Sequence, residues 1–294
     1  MLGKLIKQDF KSLSRILFPT QLAILAASII GTISFAINIR KGVGAYFQNG
    51  TFGIISGISA MLGGLMVFAI FASVFLVAFI IFERFYKSFM TSEGYLTFTL
   101  PVTTSELLWS KLITAMLWTI ISAVVIFISA NIFIYFGTAK EGIVNFSPYT
   151  QIFRGIREAF SELGGGLTLP IIEFIILCII GLAYNILHIY LALIIGGIVS
   201  QKHKILAGVG FYFVISIAVG IVTSLLMNLF GGAMVNQLNR LDSLMPGLNG
   251  AQAFHMVMNA TQPMILCSMA FTLILTAGFF LLSNYFIKNK LNLE

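Results

Sequence analysis

ERFYKSFMTSEGYLTFTLPVTTSELLWSK, residues Glu83 to Lys111, is a polar island set between two long apolar runs. It opens on three charges, Glu83, Arg84 and Lys87, and carries a short apolar stretch, Tyr95 to Leu100, that stops at Pro101. Proline has no amide to give a helix interior, so a short helix ahead of it must end there. Beyond the proline, Thr103 stands three residues before Glu106. That is capping-box spacing, in which each side chain satisfies the other's backbone amide, and it predicts the start of a new helix. The island is therefore expected to form helix, break and helix at a membrane surface, with apolar side chains that need cover from another protein.

The surroundings explain why a membrane is expected. Of 294 residues, 59% are hydrophobic and only 9% charged, with a mean hydropathy of +1.00, whereas soluble domains carry about 25% charged residues. Apolar stretches near the roughly 20 residues that cross a bilayer lie at Thr20 to Ile39, Ile54 to Phe82, Leu112 to Phe136, Leu169 to Val199, Ile205 to Phe230 and Pro263 to Ile287. None alternates as a barrel strand would, and open sheet edges do not survive in hydrocarbon, so all six are expected to be helices.

An even number of spans puts both termini on one side. With the N-terminus inside, the inner set is Lys4, Lys7, Lys11, Arg15, Arg84, Lys87, Lys111, Lys202, Lys204, Lys288 and Lys290, eleven residues. The outer set is Arg40, Lys41, Lys140, Arg154, Arg157 and Arg240, six residues. Positive residues favour the cytoplasmic side, so the fold class expected is an all-α integral membrane protein with six spans, N-in and C-in. The formal net charge of +7 fits contact with anionic lipid, and no basic cluster on a polar domain points to nucleic acid.

Between and before the spans, three segments carry amphipathic or apolar character. Residues 1–18 set Leu2, Ile6, Phe10, Leu13 and Leu17 on one helical face and Lys4, Lys7, Lys11 and Arg15 on the other. This predicts an interfacial elbow helix separated from the first span by Pro19, and it lacks the apolar core of a cleavable signal. In the outer segment 137–168, Ser147-Pro148 opens a helix whose apolar face is Tyr149, Ile152, Phe153, Ile156, Phe160 and Leu163, stopped by Gly164-Gly165-Gly166. That face is expected against the outer leaflet or the neighbouring spans. The last outer segment, 231–262, is too apolar for a solvated linker and is expected to pack on or dip into the outer leaflet, roofing a pathway as irregular backbone covered by protein or a water-filled cavity. The whole chain, 1–294, is expected to be one transmembrane domain.

Chemistry is sparse. No phosphate-binding G-x-x-x-x-G-K-[ST], no H-E-x-x-H and no G-x-S-x-G occurs. No metal site or catalytic set is therefore expected, and the chain is taken as a non-catalytic subunit. Cys178 and Cys267, each within a predicted span, are expected to be small buried apolar residues. Polar groups inside spans are costly and invite a functional hypothesis. Glu173, Asn185 and His188 in the fourth span form either a polar stripe lining a transport path or a structural set, with Glu173 snorkelling to the outer interface and the other two bonding a neighbouring helix.

The segment E-G-Y-L-T-F-T-L-P-V-T-T-S-E-L-L-W-S-K, Glu93 to Lys111, preceded by an amphipathic helix and two spans and followed by four more, resembles the permease subunits of type 2 ABC transporters, especially the Gram-positive bacterial type. Gly94, Leu96, Phe98, Leu100, Pro101, Val102, Thr103 and Lys111 stand where that family carries a Gly, an apolar stretch, a Pro, a Ser/Thr and a Leu-x-x-Lys-like run. The resemblance implies a dimer with a second copy or paralogue in the bacterial plasma membrane. It also implies docking of Glu93, Gly94, Tyr95, Leu96, Thr97, Phe98, Leu100 and Pro101 on a separate ATPase subunit. ATP and Mg would be bound by that partner, with no cofactor in this chain. Short outer helices are expected between spans five and six. The outer segment between spans three and four is longer than the family's usual connection. A lumen drawn from these spans offers Phe, Met, Ile, Ser and Thr but very little fixed charge, which points to export of amphipathic peptides of toxin or bacteriocin type. Lipid or drug-like cargo, a secondary transporter and a non-transporting membrane partner remain the alternatives.

Overall fold

The computed structural model describes residues 2–41, 50–91, 94, 99, 101–132, 147–200, 202–244 and 250–289. These form α1 (Leu2–Lys41), α2 (Gly50–Met90), α3 (Thr104–Ile132), α4 (Ser147–Leu163), a four-residue 3-10 turn (Gly164–Leu167), α5 (Thr168–Val199), α6 (Lys204–Leu244) and α7 (Gly250–Asn289). No strand occurs among the described residues. Six helices have the length and apolar composition to cross a bilayer: Leu2–Ser34, Met61–Met90, Thr104–Ile132, Thr168–Val199, Lys204–Asn228 and Gln252–Asn289. The chain is a multi-pass membrane protein.

The pattern of exposure is that of a protein solvated by hydrocarbon. On α2, Phe68, Phe71 and Phe75 stand at one-turn spacing and face outwards, while Ser73 is buried. On α3 the buried side carries Ser110, Thr114, Ser122 and Ser129. Lipid offers large apolar side chains as good an environment as a neighbouring helix does, so small hydroxyl residues go to the contacts, where they let backbones approach. Several return their hydroxyl to their own helix, as Ser73 does to the Ile70 carbonyl and Thr114 to that of Ser110. Cys178 and Cys267 follow the outward pattern as well. Both are exposed free thiols, not the buried residues expected, because a small apolar group is equally at ease against lipid.

The chain divides into two compact units. The first comprises Met1–Phe85 and Trp109–Phe153. Within it α1 and α3 run parallel, with contacts that climb both helices together. Asp9 meets Ser110 and Lys111, Phe10 stacks on Trp118 with centroids 4.9 Å apart, and Gln21 donates to the Ser122 hydroxyl at 2.6 Å. The elbow break expected at Pro19 is absent, since α1 is one helix of 40 residues with Pro19 inside it. One missing amide out of so many is tolerated when both sides of it are held by packing. The expected face is present, with Leu13 and Leu17 buried and Lys4, Lys7, Lys11 and Arg15 exposed.

The second unit comprises Tyr86–Leu108 and Arg154–Glu294. Its centre is α5, which packs along both α6 and α7, while those two touch each other little. At one end α5 crosses α6 so closely that a Cβ added to Gly196 would lie 2.3 Å from the Gly208 amide nitrogen. At the other end Gly164, with φ +51°, turns the chain from α4 into the 3-10 turn, a left-handed conformation glycine adopts without steric cost. Helix also replaces most of the irregular roof expected over 231–262: α6 continues to Leu244 and α7 begins at Gly250, with Pro263 inside it. Met245 and its neighbours to residue 249 lie outside the described residues.

Candidate functional site: the connection between the second and third spans

The polar island is mostly helix. Glu83, Arg84 and Lys87 belong to the last turns of α2, which runs to Met90, and α3 starts at Thr104, so the connection proper is residues 91–103. Hydrophobicity falls after Phe82, but hydrogen bonding along the backbone does not, and Phe85, Phe89 and Met90 remain buried.

Both edges of this connection are held by the second unit's long helices. On the α2 edge, Lys204 at the start of α6 donates its Nζ to the Met90 carbonyl at 3.3 Å, satisfying an acceptor that helix ends leave open. Met90 also fits against Gly197 of α5, where an added Cβ would come within 2.6 Å of its Sδ. On the α3 edge the expected capping box is formed: the Thr103 amide donates to Glu106 Oε2 at 3.1 Å and the Glu106 amide to Thr103 Oγ1 at 3.3 Å. The next residue, Thr104, donates from Oγ1 to Asn284 Oδ1 of α7 at 2.9 Å. The ends of α5, α6 and α7 thus converge on the two residues that frame the connection.

Within it, Gly94 is buried and its amide donates to the Thr91 carbonyl at 2.8 Å, while Pro101 is exposed. Glu93, Tyr95, Leu96, Thr97, Phe98 and Leu100 lie outside the described residues, as therefore does the expected docking helix.

In the first unit, the Lys111 ammonium pairs with Asp9 Oδ1 at 2.5 Å and the Ser110 hydroxyl donates to Asp9 Oδ2 at 2.5 Å. The charged side chains are only 10% and 14% exposed. This pair fixes the N-terminal helix to the second turn of α3. Asp9 was legible as an anomaly, since it lies three residues after Ile6 and four before Leu13, on the apolar face of a basic helix.

The fourth-span polar residues are not one site. Glu173 does not snorkel; it is 6% exposed and accepts a hydrogen bond from the Gln262 amide of α7. His188 is buried among Tyr212, Tyr184 and Phe279, with ring centroids 4.5 to 5.8 Å away, and its Nε2 is 3.5 Å from the Ser216 hydroxyl. Asn185 is exposed and donates to the Gly181 carbonyl of its own helix at 2.7 Å. Fifteen residues of helix separate Glu173 from His188 by roughly 22 Å, too far for joint chemistry. The sequence did not single out Gln262 or Asn284, which are ordinary amides until the partner helix is placed. Among the described residues no three His, Cys, Asp or Glu side chains gather.

Comparison with protein-family models, with curated proteins and with solved structures finds no match for this chain.

Proposed function

We propose that this chain is the transmembrane permease subunit of an ATP-driven ABC exporter, N-in and C-in in a bacterial plasma membrane, working as a dimer with a second copy or paralogue. The observation that carries the proposal is the framing of residues 91–103. Met90 and Thr104 are tied to Lys204, Gly197 and Asn284, which belong to three different long helices. A force applied to such a connection reaches the ends of α5, α6 and α7 together, as a subunit driven from outside the membrane requires. The sequence pattern Glu93 to Lys111 and the excess of basic residues on that side agree with it.

In this mechanism a separate ATPase binds ATP and Mg and docks on Tyr95, Leu96, Phe98 and Leu100. Nucleotide-driven closure of the ATPase pair moves the connection, and the spans tilt in response. The chain supplies path and lever, and the cargo is an amphipathic peptide, matched to spans with little fixed charge. The test is co-expression with an ABC ATPase subunit from a neighbouring gene, should one be encoded there. The two should co-purify, Leu96→Glu or Phe98→Glu should release the ATPase while the spans stay inserted, and vesicles should move peptide only with ATP. Unimpaired co-purification of both charged variants would refute the docking role.

A further inference from the structure

The helix before α5 carries an apolar stripe whose described side chains are exposed. In α4, Phe153, Ile156 and Phe160 recur at three- and four-residue spacing and are 70%, 49% and 44% exposed. Arg154, Arg157 and Glu158 lie on the rest of the circumference and are also exposed. The described side chains of the stripe thus lie open, and something must cover them.

Three features identify what does. First, α4 has 17 residues, about 26 Å of helix, and half its surface is charged or polar, so it cannot cross a bilayer. Second, only the turn Gly164–Leu167 separates it from the first residue of a membrane span, Thr168. Four residues at about 2 Å each keep the end of α4 within roughly 8 Å of the membrane boundary. Third, the arginine at position 157 borders the stripe, and the acid at 158 stands opposite it. Helices lying in the interface share that order: apolar face in the acyl boundary, arginines at phosphate level, acids in water.

We infer that α4 is an interfacial anchor that lies in the headgroup layer of the leaflet where α5 begins, with Phe153, Ile156 and Phe160 in the acyl boundary. Its two arginines are balanced by Glu158 and Glu162, so apolar burial holds it and salt does not release it. The anchor fixes the entry of α5, the helix on which both α6 and α7 pack.

The test uses the full chain with Cys178→Ala and Cys267→Ala, reconstituted in phosphatidylcholine vesicles containing a minority of phosphatidylglycerol. Single cysteines at 153, 156, 160, 154 and 158 carry an environment-sensitive fluorophore. Lipids with a nitroxide high on the acyl chain should quench the first three positions several-fold more than the last two. Aqueous iodide should give the reverse order, and high salt should change neither. Equal quenching at all five positions overturns the proposal, as does shielding of 153, 156 and 160 from both quenchers, which would mean that a second copy or another protein covers the stripe. In Phe153→Glu/Phe160→Glu the probe at 156 should move to the iodide-quenched class; if it stays lipid-quenched, the stripe is not what holds the helix.

Discussion

Single residues in this protein matter most where two backbones or two charges meet out of solvent. Replacing Asp9 with Asn, or Lys111 with Met, removes one half of an ion pair that is nearly out of solvent, and breaking such a pair costs about 3–5 kcal/mol. Thermal unfolding in detergent should show a large loss for each single variant, and much of it should return in Asp9→Leu/Lys111→Met. Equal loss in the double variant would mean that the pair is not the interaction being broken. The glycines give a second contrast. A methyl at Gly196 meets the Gly208 backbone at 2.3 Å, whereas one at Gly166 meets only the ring edge of the exposed His255 at 2.3 Å. Backbone cannot turn aside and a surface imidazole can, so Gly196→Ala should destabilise by about 1–3 kcal/mol and Gly166→Ala should do little. Matching melting temperatures for the two would contradict the close crossing of α5 and α6.

At the scale of elements, existence was legible in the sequence and extent was not. Six apolar runs gave six spans because lipid rewards apolar length in a single helix, whatever that helix packs against. Their ends were set by something hydropathy does not see. The helix of α2 continues through Glu83, Arg84 and Lys87, and α1 continues through Pro19, because buried neighbours such as Phe85 and Leu17 hold the backbone helical. The capping box at Thr103 and Glu106 was fully legible, being a contact between residues three apart. Gln262 and Asn284 were not, since their partners lie 89 and 180 residues away. Removing the local signal should have a local effect: Thr103→Ala should cost about 1 kcal/mol and raise amide exchange in the first turn of α3. Protection unchanged at residues 104–107 would show that the cap is idle.

For the whole molecule, the second unit gathers the end of α2, the start of α3, the end of α5, the start of α6 and the end of α7 in one neighbourhood. Helices that alternate in direction bring those ends together, so residues beside Lys202 and Lys288 should share one side of the membrane with residue 99. Cysteines at 99, 202 and 288 should all react with an impermeant reagent from that side alone; a split among the three would overturn the alternation. On the proposed function that side is the cytoplasm, and the purified chain should hydrolyse no ATP by itself. Nucleotide turnover by the isolated chain would remove the need for a partner.

The bond between Thr104 and Asn284 also sets an order in time. A ribosome adds about 5–20 residues per second, so the 180 residues between them take roughly 10 to 40 seconds to make. Throughout that interval the first turn of the third span lacks the amide that will hold it. The frame around residues 91–103 closes only when the last helix arrives, and a chain cut short before Asn284 never closes it. On the proposed function, an ATPase that docks here would meet the Thr104 side of the frame closed only on chains that already carry Asn284.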